Sequence, residues 1–153
     1  MPQFLDGKAP KGEWVAAKIR IHSGWQRRQF ERDVGAITVS SIGGKTLEQA
    51  LGGKLTPVIG SSAYKQTEVL GYPGNYGNAQ KMIHSTGKQE FGRRANPVIK
   101  RAPSRMTFGA SGGPWTTDSG TKIDSVNSFI TSNPSQWIYG PSFDSEVDRV
   151  IRG

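Results

Sequence analysis

Between Thr107 and Trp115 the chain reads TFGASGGPW. Gly109, Gly112, Gly113 and Pro114 crowd around a single serine, Ser111. Glycine reaches backbone conformations closed to other residues, and proline withdraws an N–H donor. The segment is therefore a tight turn rather than part of a helix. Such a turn can aim two backbone N–H groups at one point beside an exposed hydroxyl. The plainer reading is a glycine turn that holds a serine by accident.

The rest of the chain is punctuated in the same manner. Gly 20 and Pro 9 within 153 residues favour many short strands over long helices. Hydrophobic residues at 34% suffice for a packed β core. No apolar run is long enough to span a membrane. The opening MPQFLDGKAPKGEW has no apolar signal core, so a chain starting at Met1 is read as not exported.

Cysteine is absent, which excludes a disulfide framework, a thiol nucleophile and a thiolate metal site. His22 and His84 are the only histidines, and neither sits at ligand spacing with another donor. Neither a metal nor a cofactor is expected. The net charge is +8, with one basic group at Arg27, Arg28 and Arg32 and a denser one at Arg93, Arg94, Lys100, Arg101 and Arg105. No aromatic interleaving and no nucleic-acid-binding motif accompanies them, so a solvated basic surface is expected and nucleic acid is not the expected partner.

Periodicity places the elements. Val15, Ala17, Ile19 and Ile21 alternate with Trp14, Ala16, Lys18 and Arg20, which predicts a half-buried strand over 13–21. The run VGAITV, Val34 to Val39, suits a buried strand. Thr46 to Leu51 predicts one helical turn, and the Gly-, Ser- and Pro-rich stretch 52–62 a boundary. Strands are predicted over 67–72, 80–85, 105–108 and 122–130. Phe143, Val147, Val150 and Ile151 share one helical face, which predicts a C-terminal helix over 142–151 capped by Ser142.

The run Gly-x-Ser-Gly-Gly-Pro resembles the nucleophile loop of chymotrypsin-like serine proteases. The resemblance implies that Ser111 is the nucleophile and that the N–H groups of Gly109 and Ser111 form an oxyanion hole. Ala110 stands where the family usually has an aspartate that pairs with a new N-terminus, which argues against activation by zymogen cleavage. Upstream, ERDVGAITV resembles the family's aspartate strand and makes Asp33 the catalytic carboxylate. A charged group opening a buried strand needs partners; in the family that partner is the catalytic histidine. VLGYPG (Val69 to Gly74) resembles a strand end of the glutamyl-endopeptidase-like branch, and MIHSTG fits the strand after it. VNSF (Val126 to Phe129) falls where the family runs its substrate-binding strand. GPSFDSEVDRVI matches the closing strand and helix.

One part of the pattern is missing. The family's histidine sits in an Ala-Ala-His strand end, but here Ala16-Ala17 is followed by Lys18. His22, in IHSGW, matches no motif. Without a base a serine hydroxyl is a poor nucleophile, and in an unrelated fold with the same triad, loss of the histidine costs about a million-fold in turnover. The resemblance therefore implies a chain lacking the histidine-bearing segment.

The expected fold is all-β: a chymotrypsin-like double β-barrel, its N-terminal barrel incomplete, with a C-terminal α-helix. Residues 1–51 would be the remnant carrying Asp33, and 52–153 the second barrel. The implied function is a secreted serine endopeptidase acting on protein or peptide substrates, nearly inactive as this chain alone. Arg105, Val126, Asn127 and Ser128 would bind substrate, with Arg105 either favouring acidic side chains or pointing away. The alternatives are a non-catalytic homologue that binds a partner through the old cleft, and a basic surface-binding module.

Overall fold

The alternation before Ile21 does form a strand, β1 (Ala16–Ile21), and VGAITV forms its antiparallel partner β2 (Gly35–Val39), with Ile19 opposite Ile37. The expected burial does not follow. Ile19, Ile21 and Ile37 are 65%, 51% and 61% exposed, and Val15 is 71% exposed. A two-stranded ribbon is a single layer, and among the described residues no second layer covers this face. The computed structural model describes residues 1–61, 63–93 (the Arg93 side chain aside) and 98–153. Ser62, which ends the predicted boundary stretch, and Arg94 of the basic group lie outside the described residues.

The predicted helical turn is α1 (Leu47–Leu51). Thr46 and Gln49 form a reciprocal capping box at its start, and Gly52 ends it in a left-handed conformation at φ 76. Beyond it, five strands form one sheet: β3 (Thr56–Pro57), β4 (Gln66–Gly71), β5 (Ile83–Lys88), β8 (Pro114–Thr117) and β9 (Lys122–Val126), in the order β3-β9-β8-β4-β5. A second sheet holds β6 (Glu90–Arg93), β7 (Ile99–Pro103) and β10 (Trp137–Pro141), in the order β10-β7-β6. The two sheets close over Val69, Ala102, Met106, Ala110, Trp115 and Ile138.

Among the described residues neither half closes into a hydrogen-bonded barrel. Where β5 meets β7 the strands touch without pairing. A Cβ on Gly87 would lie 2.7 Å from Pro103 Cγ, and a proline has no N–H to donate to a ladder. The expected strand over 105–108 is corrected: this segment is irregular, and the strand lies earlier, at β7. The pull toward the earlier residues comes from Ile99 and Ala102, which are buried.

The C-terminal helix is α2 (Ser145–Arg152), and its cap is Asp144 rather than Ser142. Asp144 Oδ1 accepts from the N–H groups of Glu146 and Val147, both at 3.0 Å. Phe143 and Val147 pack with Val34 in a second core. Arg20 Nε and Nη2 donate to the carbonyls of Val150 and Ile151 at 2.9 and 3.1 Å, satisfying acceptors that a helix end leaves open. Arg32 Nη1 meets Asp144 at 2.6 Å and Arg32 Nη2 meets Glu146 at 3.2 Å. One helix therefore clamps β1 through Arg20 and the turn leading into β2 through Arg32.

The dense basic group is not one solvated face. Lys100 is fully buried and pairs with Asp124 at 3.1 Å, with Ser61 and Gln89 completing the network. Burial pushes the Lys100 amine below its ordinary value of 10.5, against the opposing pull of Asp124. Arg101 bonds Glu90 at 2.8 Å and lies over the Trp137 ring. No helix among the described residues is long and apolar enough to cross a membrane.

Candidate active site

The glycine-rich turn is held from both sides. On one side the Gly-Tyr-Pro-Gly-Asn segment grips it: Gly74 N–H donates to Phe108 O at 2.7 Å. Asn75 Nδ2 donates to Arg105 O at 2.8 Å, and Asn75 Oδ1 accepts from Thr107 N–H at 3.1 Å. On the other side Gly112 N–H donates to Asn127 O, and Asn127 N–H to Gly113 O, both at 2.8 Å. Gly109 adopts φ +96, and a Cβ there would lie 2.7 Å from Tyr72 O. Only glycine fits that position without displacing backbone.

Ala110 is buried beneath the turn and Ser111 is exposed above it. Among the described residues the N–H groups of Gly109 and Ser111 donate to no protein acceptor.

Asp33 arrives from the other end of the chain. Val34 next to it is anchored in the core under α2, and Arg32 before it is clamped by Asp144 and Glu146. Ser128 Oγ donates to Asp33 Oδ2 at 2.6 Å. Ser128 is fixed in turn by its N–H to Tyr139 O at 2.9 Å. An aromatic ladder runs alongside: Phe30 lies 5.0 Å from Phe129, which stacks on Tyr139 at 4.9 Å.

A cavity of about 310 Å³ opens beside Ser111, and Ser128 also lines it. Asp33 itself does not line the cavity, but it is hydrogen-bonded to Ser128, which does. Of the four residues expected to bind substrate, Asn127 and Ser128 line the cavity, whereas Arg105 and Val126 do not. Arg105 is exposed, and Val126 packs against the second core. The Asn127 amide is committed internally: it accepts from Trp115 Nε1 at 2.7 Å and donates to Leu70 O and Ala110 O at 2.8 and 2.9 Å. Ile130 and Ile138 line the cavity without any motif to announce them. Their signal was only the apolar character of two short runs.

Neither histidine faces this cleft. His22 Nδ1 accepts from Gly24 N–H at 2.9 Å, and its Nε2 meets Glu146 at 3.0 Å. His84 pairs with Glu68 at 2.7 Å on the face of the β4–β5 pair. Among the described residues no group of three or more acidic or histidine side chains could hold a metal ion.

No protein-family model matches the sequence, and no curated protein matches it. Solved structures do match. A thermostable serine protease from an extremophilic microorganism is similar at 25% identity and TM-score 0.87, over 97% of this chain and 70% of its own. The protease Anisep from Arthrobacter nicotinovorans is similar at 24% identity and TM-score 0.87, with the same two coverages of 97% and 70%. A Glu endopeptidase is similar at 16% identity and TM-score 0.79, over 99% of this chain and 68% of its own.

Proposed function

We infer from the chymotrypsin-like serine protease fold, which this chain has, that it carries the nucleophile and the orienting carboxylate of a serine endopeptidase. Ser111 Oγ would attack the acyl carbon, and the N–H groups of Gly109 and Ser111 would hold the resulting oxyanion. Asp33 would fix an imidazole between itself and Ser111. Residues 1–51 would supply the carboxylate, and residues 52–153 the nucleophile and cavity. Peptides would be the substrates, outside the producing cell.

The observation that carries this reading is the Ser128–Asp33 hydrogen bond. It fastens a carboxylate from the N-terminal ribbon to the wall of the cavity that Ser111 lines. The reading needs an imidazole that neither His22 nor His84 supplies, since both are bonded elsewhere. The 153-residue chain should therefore be a very weak hydrolase by itself. The same lack of a base favours a second reading, in which the cleft holds a peptide without cutting it.

Chemical rescue tests the two. The chain is incubated with a fluorophosphonate probe, with and without added imidazole. Imidazole-dependent labelling that disappears in Ser111→Ala supports the protease site. Equal labelling of the chain and Ser111→Ala removes Ser111 from its role. No labelling under either condition, with retained peptide binding at the cleft, favours the non-cutting reading.

A further inference from the structure

None of the residues lining the cavity beside Ser111 is charged. Thr107, Asn127 and Ser128 are its polar members apart from Ser111. The amide of Asn127 is taken up by Trp115, Leu70 and Ala110. The hydroxyl of Ser128 is given to Asp33. Among the described residues, that leaves the Thr107 hydroxyl as the wall side chain besides Ser111 without a hydrogen-bond partner. The remaining surface is apolar, and its deepest members, Ala110 and Ile138, are continuous with the main core.

Arg105 does not change this balance. Its side chain is exposed and forms no part of the cavity wall. A carboxylate or an ammonium entering the cavity would lose water and meet no charged lining residue, and the nearby Asp33 carboxylate is already bonded to Ser128, so entry is unfavourable. An apolar side chain loses nothing polar and gains contact with Ile130 and Ile138. At about 310 Å³ the space lies at the small end of ligand sites, enough for one side chain and its flanking backbone.

Resting on the reading of Ser111 as the reactive group, we propose that this cavity selects an uncharged apolar side chain, so that peptides are held with such a residue at the bond facing Ser111. Acidic and basic residues are rejected there. This separates the chain from its structural neighbour that is a Glu endopeptidase, despite the shared fold.

The test is a binding panel on the full chain. Acetylated tetrapeptide acids that differ only in a C-terminal Leu, Glu or Lys are titrated while the methyl signals of Ile130 and Ile138 are followed by NMR. The leucine peptide should shift both methyls and bind at least about tenfold more tightly than the other two. Thr107→Arg, at a half-buried position of the wall, should turn the preference toward glutamate. Imidazole-dependent labelling of Ser111 is measured in parallel. Tighter binding of the Glu or Lys peptide with Ser111 still labelled overturns the selectivity and leaves the nucleophile in place. Methyl signals unmoved by the leucine peptide also overturn it. Loss of both labelling and methyl shifts overturns the selectivity and the reading beneath it together.

Discussion

Ser128 Oγ and the Asp33 carboxylate are joined by a 2.6 Å hydrogen bond across 95 positions of sequence. It links the exposed ribbon to the C-terminal sheets at the cleft. A hydrogen bond to a charged group contributes about 1.5–3 kcal/mol when well shielded. This one is partly buried, so Ser128→Ala should cost about 1 kcal/mol in urea denaturation. The imidazole-dependent labelling of Ser111 should fall in the same variant, because Asp33 loses its tether.

Removing one member of the buried pair should be far more damaging. Lys100→Met leaves Asp124 charged and buried, at a cost of about 3–5 kcal/mol in denaturant melts. The sign of the pH effect follows from the lysine. Its folded value lies below 10.5, so the unfolded chain holds more protons in that window. The stability of the unmodified chain relative to Lys100→Met should therefore rise as pH climbs toward 10.5.

Acid should loosen α2 from its start. Burial raises the Asp144 carboxyl, but the N–H of Val147, the Arg32 guanidinium and the N–H of Glu146 together hold it below its ordinary 3.8. Its stabilising effect is complete well above 3.8 and is lost as pH falls through that value and on through the lower folded one. Thermal melts should show this slope flattened in Asp144→Asn, which keeps a capping oxygen. Asp144→Ala should in addition lose about 1 kcal/mol at neutral pH.

Two glycines of the turn should respond differently to the same change. Gly109→Ala would set a Cβ 2.7 Å from Tyr72 O at φ +96, so backbone must shift, at about 1–3 kcal/mol. Gly112 also has a positive φ of +76, but a Cβ there meets nothing within 4 Å. Gly112→Ala should cost only about 1 kcal/mol. Probe labelling of Ser111 should fall sharply in the first variant and moderately in the second.

The sequence was most readable where chemistry forces local geometry. The turn around Ser111 is legible because only glycine tolerates its conformations, and α2 because Phe143, Val147 and Ile151 share one face. The cap of α2 is not legible, because Ser142 and Asp144 both suit that role and only the path of the chain past Phe143 decides between them. β8 is not legible, and β10 only at its end in GPSF, since Pro114–Thr117 and Trp137–Pro141 show little alternation and are strands by virtue of their partners. The burial of Ile19 and Ile37 was overestimated for the converse reason: a pattern fixes which face is apolar but not what covers it. In the cleft, Ser111 and Gly109 stand out through the resemblance of the Gly-x-Ser-Gly-Gly-Pro run. The isoleucines that shape the cavity do not, because a wall residue need only be apolar.

The clamp between α2 and the ribbon also sets an order of events. Arg20 and Arg32 find their carbonyl and carboxylate partners only among residues 144–151. A chain made from its N-terminus cannot lock Asp33 in position until those residues have left the ribosome. The Asp33 carboxylate is thus fastened to the cavity wall only after the strands of both sheets and α2 have all been made.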